Sequence, residues 1–181
     1  MEKLQNNQNK IIIIGDCKIA DDVEFIGECY LKNCTIDSGC KICSSYIIDS
    51  CIGKNCAVGP FAHIRPGSII ESNVRIGNFV EIKKSHIKSG TKISHLTYVG
   101  DAEIGTNCNL GCGVIFCNYD GKTKHKTVIG DNVFVGSNVN LIAPLKIEDG
   151  CFIAAGSTVT KDVPKDSFVI ARSKQENKPK R

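Results

Sequence analysis

A six-residue period limits this chain more than any other feature. Over Ile129–Val163, long or branched apolar residues recur at Ile129, Val135, Leu141, Ile147, Ile153 and Val159. Four places after each stands a small or apolar residue: Val133, Val139, Leu145, Cys151, Ser157 and Val163. Position two is often Gly or Ala, as at Gly130, Gly136 and Ala154. Neither a helix of 3.6 residues per turn nor a strand alternating at every second residue generates a period of six. A hexapeptide repeat does, and it specifies an all-β fold, the parallel β-helix. Three hexads, about 18 residues, make one triangular coil, and coils stack like sheet strands roughly 4.8 Å apart. The hexapeptide architecture is left-handed, an exception to the right-handed crossover rule.

The period extends back through most of the chain. Ile13, Ile19 and Phe25 begin hexads, and Ile36 and Ile42 follow after slips. Ile52, Val58, Ile64, Ile70, Ile76 and Ile82 keep strict step; shorter steps reach Ile87, Ile93 and Val99, then Ile104 and Leu110. The pattern breaks over Ile115–Thr127, so a loop extruded from a corner is expected at about 114–128. Asn118-Tyr119-Asp120-Gly121 reads as a turn, and Lys122, Lys124, His125 and Lys126 follow it. Such a loop on a rigid scaffold is where binding groups sit. The expected division is a disordered polar tail over 1–10, a β-helix over 11–164 and a C-terminal tail over 165–181.

Composition excludes several classes of function. The formal charge of +4 lies partly in Lys178-Pro179-Lys180-Arg181, which reads as a solvated end. Seven Phe, four Tyr and no Trp offer no base-stacking surface, so no nucleic-acid partner is expected. Ile11–Ile14 is too short for a membrane span or a signal core, which places the chain in the cytoplasm with no membrane partner. Eleven cysteines suggest a metal or disulfide framework, but the period assigns most of them elsewhere. Cys17, Cys29, Cys40, Cys56, Cys108 and Cys151 fall at the inward position four places after a hexad start, where free Cys acts as a small hydrophobe. Cys40/Cys43 and Cys108/Cys112 have no second pair at zinc-site spacing, so no metal site is expected.

Stacking brings distant residues together. Arg65 and Lys83 hold position two of hexads one coil apart, so two cations adjoin; a phosphate between them would relieve their repulsion, with Arg65 forked onto it and Lys83 a point charge. Position three of another face reads Asn78, His95, Cys112, Ser137 and Ala155, beside Gly77, Gly111, Gly136 and Ala154. This is a smooth gutter with one imidazole near its end, suited to a long thin ligand and to general-base chemistry. Glu81 and Tyr98 share position six one coil apart, placed to help orient base or substrate.

Six runs resemble the C-terminal acetyltransferase domain of the bifunctional bacterial N-acetylglucosamine-1-phosphate uridyltransferase/glucosamine-1-phosphate acetyltransferases, the GlmU type. They are VGPFAHIRPG (Val58–Gly67), IGNFVEIKK (Ile76–Lys84), SHLTYVGDAEIG (Ser94–Gly105), CNYDG (Cys117–Gly121), VFVGS (Val133–Ser137) and IAAGSTVTKDV (Ile153–Val163). The resemblance implies acetyl transfer from acetyl-CoA to the 2-amine of glucosamine 1-phosphate, a step toward UDP-N-acetylglucosamine. It makes His95 the general base, and it puts Arg65, Lys83, Tyr98, Asn109 and Lys124 at the sugar phosphate. Asn118 and Tyr119 fall at the acetyl group, where the Asn118 amide would stabilise an oxyanion. Cys112, Ser137 and Ala155 would line the CoA arm, and Arg172 would meet a CoA phosphate. A homotrimer is implied, with sites between neighbouring coils and loops.

The chain departs from that family at two points. No Gly-rich nucleotide-binding segment precedes the coils, so a stand-alone acetyltransferase is expected, with a separate uridyltransferase as a possible partner acting on its product. Position 112 is Cys where the family usually has Ala, although direct attack on the thioester needs no enzyme nucleophile. Other readings stay open: a different amino-sugar or amino-sugar-nucleotide acceptor, or a non-catalytic β-helix subunit. His63, His86, His95 and His125 form no close pair of the kind a zinc hydratase would need.

Overall fold

The computed structural model of the protein describes residues 10–180; the tail expected over 1–10 therefore lies almost wholly outside the described residues. The described chain is a left-handed parallel β-helix of short strands with no helix. Every third strand joins the same face, giving three parallel sheets of nine, eight and nine strands. The first sheet takes Ile11–Ile14, Cys29–Lys32, Tyr46–Ile48, His63–Ile64, Glu81–Lys83, Tyr98–Gly100, Ile115–Cys117, Asn140–Ile142 and Thr158–Val159. The third contains Arg75–Asn78, Lys92–His95, Asn109–Leu110, Phe134–Val135 and Phe152–Ile153. None of the described helix-free chain has a helix long and apolar enough to cross a membrane.

The core is three inward columns, one per face. Leu31, Ile47, Ile64, Ile82 and Val99 stack in register on the first, Ile36, Ile52, Ile70, Ile87 and Ile104 on the second, and Ile42, Val58, Ile76, Ile93 and Leu110 on the third. All are buried. The inward cysteines fill the corners between these columns: Cys29, Cys40, Cys56, Cys108 and Cys151 are buried, and Cys17 is half-buried. All eleven thiols are free. Burial pushes the Cys108 thiol up and the Cys34 thiol up to about 12.

Two boundaries differ from expectation. Phe116 lies six residues after Leu110 and is buried, so the inward ladder continues through Ile115–Cys117, which pairs with Asn140–Ile142. The loop is correspondingly narrower than 114–128, and the chain returns to the second sheet at Thr127–Ile129. At the other end, Phe168–Val169 pairs with Phe152–Ile153, so the coils run past residue 164.

The loop closes on itself. The Asn118 carbonyl accepts the His125 N–H at 2.8 Å, and Tyr119 bridges Lys124 in antiparallel fashion. Asp120 accepts the backbone N–H groups of Lys122 (2.8 Å) and Thr123 (2.7 Å) and meets His125 Nε2 at 2.7 Å. His125 first, and then these backbone donors, hold the Asp120 carboxyl far below its ordinary value of 3.8. A depressed carboxyl contributes stability that is present above the unfolded value and lost as pH falls through the folded one.

Ile93→Ala, at a fully enclosed position, should cost about 2–5 kcal/mol in urea unfolding. Ile13→Ala, at an inward position that is 54% exposed because no described residue lies beneath it, should cost about 1 kcal/mol or less. Hydrogen exchange at Lys122 and Thr123, corrected for its intrinsic pH dependence, should show constant protection from neutral pH to below pH 3.8. Asp120→Ala, which removes the acceptor oxygen, should abolish that protection at neutral pH.

Candidate functional site

The site lies where the third sheet turns into the first. His95 ends the strand Lys92–His95, Leu96 and Thr97 form the corner, and Tyr98 begins Tyr98–Gly100. Leu96 adopts a left-handed backbone, φ 46°, as do Phe79 and Phe61 at the corners of the coils beneath it. Bulky residues avoid that conformation unless the surrounding structure imposes it. Here it aims His95 outward, where its imidazole is exposed.

Asn78 lies in register under His95, and its Oδ1 is 2.9 Å from His95 Nδ1. An amide oxygen only accepts, so in the neutral imidazole Nδ1 carries the proton and Nε2 holds the lone pair. Register then continues along the expected column. The Gly111 N–H bonds Val135 O and the Gly136 N–H bonds Ile153 O, both at 2.8 Å. Asn138 N to Cys112 O and Gly156 N to Ser137 O, also 2.8 Å, hold the next turn. Cys112, Ser137 and Ala155 therefore follow His95 in one line. The column beside them must stay small because the rungs approach closely there. A Cβ on Gly111 would stand 2.6 Å from Ser137 N.

On the first sheet, Arg65 and Lys83 are neighbours on adjoining coils, as their spacing requires. The structure adds a carboxylate to each. Arg65 Nη1 donates to Glu81 Oε1 at 2.6 Å, and Lys83 Nζ lies 3.5 Å from Asp101 Oδ2. Glu81 does pair in register with Tyr98, but its side chain serves Arg65; the partner of His95 is Asn78. Taken with these carboxylates the cation pair is electrically neutral, so its attraction for an anion is weaker than two bare cations would give.

The Asn118 side chain is buried at the base of the loop. Its Nδ2 donates to Asp101 Oδ2 at 2.6 Å and lies 3.4 Å from the Tyr98 hydroxyl oxygen. Both amide hydrogens thus have protein partners. Tyr119 is exposed, and Lys124 Nζ sits 4.5 Å over its ring. Asn109 is half-buried on the third sheet in register with Lys92. One chain does not bring it to Arg65 and Lys83, which belong to the first sheet. Arg172 is exposed after the last strand, beside Gly156. Among the described residues no three His, Cys, Asp or Glu side chains converge as a metal-binding group.

Asn78 and Asp101 were not singled out as site residues in the sequence. A signal existed for Asn78, which shares the hexad position of His95 one coil earlier. Asp101 follows a short step in the period, and nothing in the spacing points its side chain at Asn118.

The comparisons with known proteins agree with this architecture. Residues 52–84 and 126–161 match the bacterial transferase hexapeptide (six repeats) model. The chain is 59% identical over 146 residues to the bifunctional protein GlmU of Clostridium perfringens, covering 81% of this chain and 32% of that protein. It is 54% identical over 167 residues to the bifunctional protein GlmU of Shouchella clausii, covering 92% of this chain and 36% of that one. It spans about a third of the length of these curated relatives. Among solved structures, a UDP-N-acetylglucosamine acyltransferase superposes with a TM-score of 0.61 at 20% identity, covering 90% of this chain and 71% of that one, which is likeness of fold. With coils, columns and these matches together, the chain is a hexapeptide-repeat β-helix similar to about a third of the bifunctional protein GlmU.

Proposed function

We propose that the chain transfers the acetyl group of acetyl-CoA to the 2-amine of glucosamine 1-phosphate. The observation that carries the reading is His95, exposed, with Nδ1 engaged by Asn78 and Nε2 left as a base at the end of the small-residue groove. In this reading the amine nitrogen attacks the thioester carbonyl carbon while Nε2 takes its proton. A C–N bond forms, the C–S bond breaks, and the departing CoA thiolate takes a proton from the imidazolium. The CoA arm lies along Cys112, Ser137 and Ala155, with Tyr119 near the acetyl group and Arg172 at a CoA phosphate. Cytoplasmic acetyl-CoA is the donor, and no metal takes part.

The acceptor phosphate is placed at Arg65 and Lys83, beside Tyr98. Because Glu81 and Asp101 already neutralise that pair, a dianion needs further positive charge. Lys124 supplies part of it from the loop. The rest, and Asn109, would come from a second copy, consistent with a homotrimer. Phe61, Phe79 and Leu96 support this arrangement: each is more than half exposed, and together they form an apolar ridge beside His95. The rings of Phe61 and Phe79 stack at 5.5 Å. A neighbouring chain would cover the ridge and close the site.

A longer acceptor, an amino-sugar nucleotide, is favoured by one observation. Tyr46 and Tyr30 continue the first sheet beneath Arg65, with Tyr46 52% exposed.

The test is thiol release from acetyl-CoA with a panel of amino sugars, each with and without a 1-phosphate, and with UDP-glucosamine. Transfer to glucosamine 1-phosphate is expected; an intact trimer that releases no thiol with it refutes the reading. His95→Ala should lower kcat by roughly 10²–10⁴. Lys83→Ala should chiefly raise KM for the acceptor. Asn78→Asp, which places a carboxylate against Nδ1, should move the acidic limb of the pH–rate profile to higher pH, whereas a purely structural Asn78 would leave that limb in place.

A further inference from the structure

The geometry points to Asp101 as a positioning residue: its carboxylate sets which end of the Asn118 amide faces the substrates, leaving the acceptor oxygen Oδ1 on the open side. This rests on the reading that an amine is acylated here. Asp101 follows Tyr98–Gly100 in a left-handed conformation, φ 50°, and its N–H donates to Lys83 O at 3.0 Å. The backbone is thereby fixed one coil above Lys83, and the side chain is directed between Lys83 and Asn118.

The polarity of Asn118 follows from what a carboxylate can do. Ionised, it accepts and never donates, so the NH₂ end of the amide must be the one 2.6 Å from Asp101 Oδ2. The phenol oxygen of Tyr98, 3.4 Å from the same nitrogen, receives the second hydrogen. Oδ1 has no hydrogen-bond partner among the described residues. It is also absent from the fully enclosed polar atoms left without one, of which Thr127 Oγ1 is the single case among the described residues. Oδ1 is therefore not fully enclosed, on a residue that is 4% exposed.

A carbonyl oxygen left without a protein partner has a definite chemical use. It repels a developing oxyanion and attracts an N–H donor, and the acceptor's amine is the N–H donor of this reaction. Asn118 then orients the attacking amine, turning its lone pair toward the thioester, and Asp101 acts through Asn118 without touching substrate. The same carboxylate is the counterion of Lys83, the proposed phosphate ligand. One residue thus references both ends of the acceptor, amine and phosphate, to one point on the scaffold.

The experiment exchanges the two groups. Asn118→Asp alone sets two carboxylates against each other, and kcat should fall by on the order of 10²-fold or more. The double variant Asn118→Asp with Asp101→Asn restores an amide-to-carboxylate hydrogen bond and still presents an acceptor oxygen to the site. It should recover kcat to within about tenfold of wild type, with donor KM unchanged. Protection of the His125 amide, which donates to Asn118 O, reports on the strut independently of catalysis. It should be lost in Asn118→Asp and regained in the exchange. A double variant that regains protection while remaining as inactive as the single one shows that an amide N–H is needed at position 118, and overturns the proposal. Asp101→Asn alone should lower kcat and raise acceptor KM; if both stay at wild-type values, or if the exchange regains neither protection nor activity, Asp101 does not hold this role. A wild-type chain that transfers acetyl to no amino sugar refutes the functional reading instead, and the exchange readout still decides whether Asp101 holds Asn118.

Discussion

Everything in this molecule depends on parallel coils stacked in register, one strand spacing apart. Position within the hexad decides whether a side chain points in or out, and coil number decides its height. The inward columns are then nearly redundant: Ile or Val above Ile or Val, each covered by the next. That redundancy frees the outward columns, where a residue has no packing task and chemistry can be placed. It also makes an excursion between coils cheap. The loop after Cys117 leaves and rejoins the stack without shifting it, because Ile104 pairs with Ile129 and Cys117 with Ile142 on either side.

Stacking carries an electrostatic cost, since like charges in one outward column stand about one rung apart. Unit charges 4 Å apart interact by about 1 kcal/mol in water and about 4 kcal/mol near a protein surface. At three places on these faces the chain answers by pairing a charge with a group on an adjoining coil. Arg65 reaches Glu81, Lys83 reaches Asp101, and Glu71 reaches His86 and Ser89. The Arg65–Glu81 and Glu71–His86 contacts are half-exposed, and their value lies in orientation more than in stability; Lys83–Asp101 is the more enclosed pair. On the third sheet, Arg75 and Lys92 adjoin in register, and neither has an ion-pair partner among the described residues. Positive charge not matched within the chain thus lies on the same sheet as His95 and Asn109.

Much of this was legible in the sequence because register is arithmetic. Once Ile64 and Ile82 share a column, Arg65 and Lys83 must adjoin; once Ile93 sits over Ile76, Asn78 must lie under His95. Arithmetic fails where a residue of unexpected type keeps step. Phe116 fills an inward place with a larger ring than its neighbours, and the period alone makes a loop of the strand around it. It fails again for side-chain direction, which backbone register does not determine. Glu81 shares a column with Tyr98, yet it turns along the sheet to Arg65. Asn118 was legible as a site residue, but the polarity of its amide depends on Asp101, which reaches it from a corner.

Between the proposed base and the phosphate cations lie the Leu96–Thr97 corner and the width of the first sheet from Tyr98 to Gly100, and the rigidity of that path decides whether the two halves of the site keep their distance. Thr97 is buried, and its hydroxyl donates to His95 O at 2.7 Å. Ser85 repeats the device one corner over, donating to Lys83 O at 2.8 Å. In both cases an inward hydroxyl ties off the carbonyl two residues back, on the residue that carries the chemistry. His95 and Lys83 are therefore held through their own main chains by buried polar contacts, with no reliance on surface contacts. Catalysis by positioning requires this placement, because a displacement of about 1 Å can cost on the order of 10²-fold in rate. The loop bearing Tyr119 and Lys124 has no such ties into the core beyond Asn118. Precision in the site thus belongs to the coils, and any adjustment to the donor belongs to the loop.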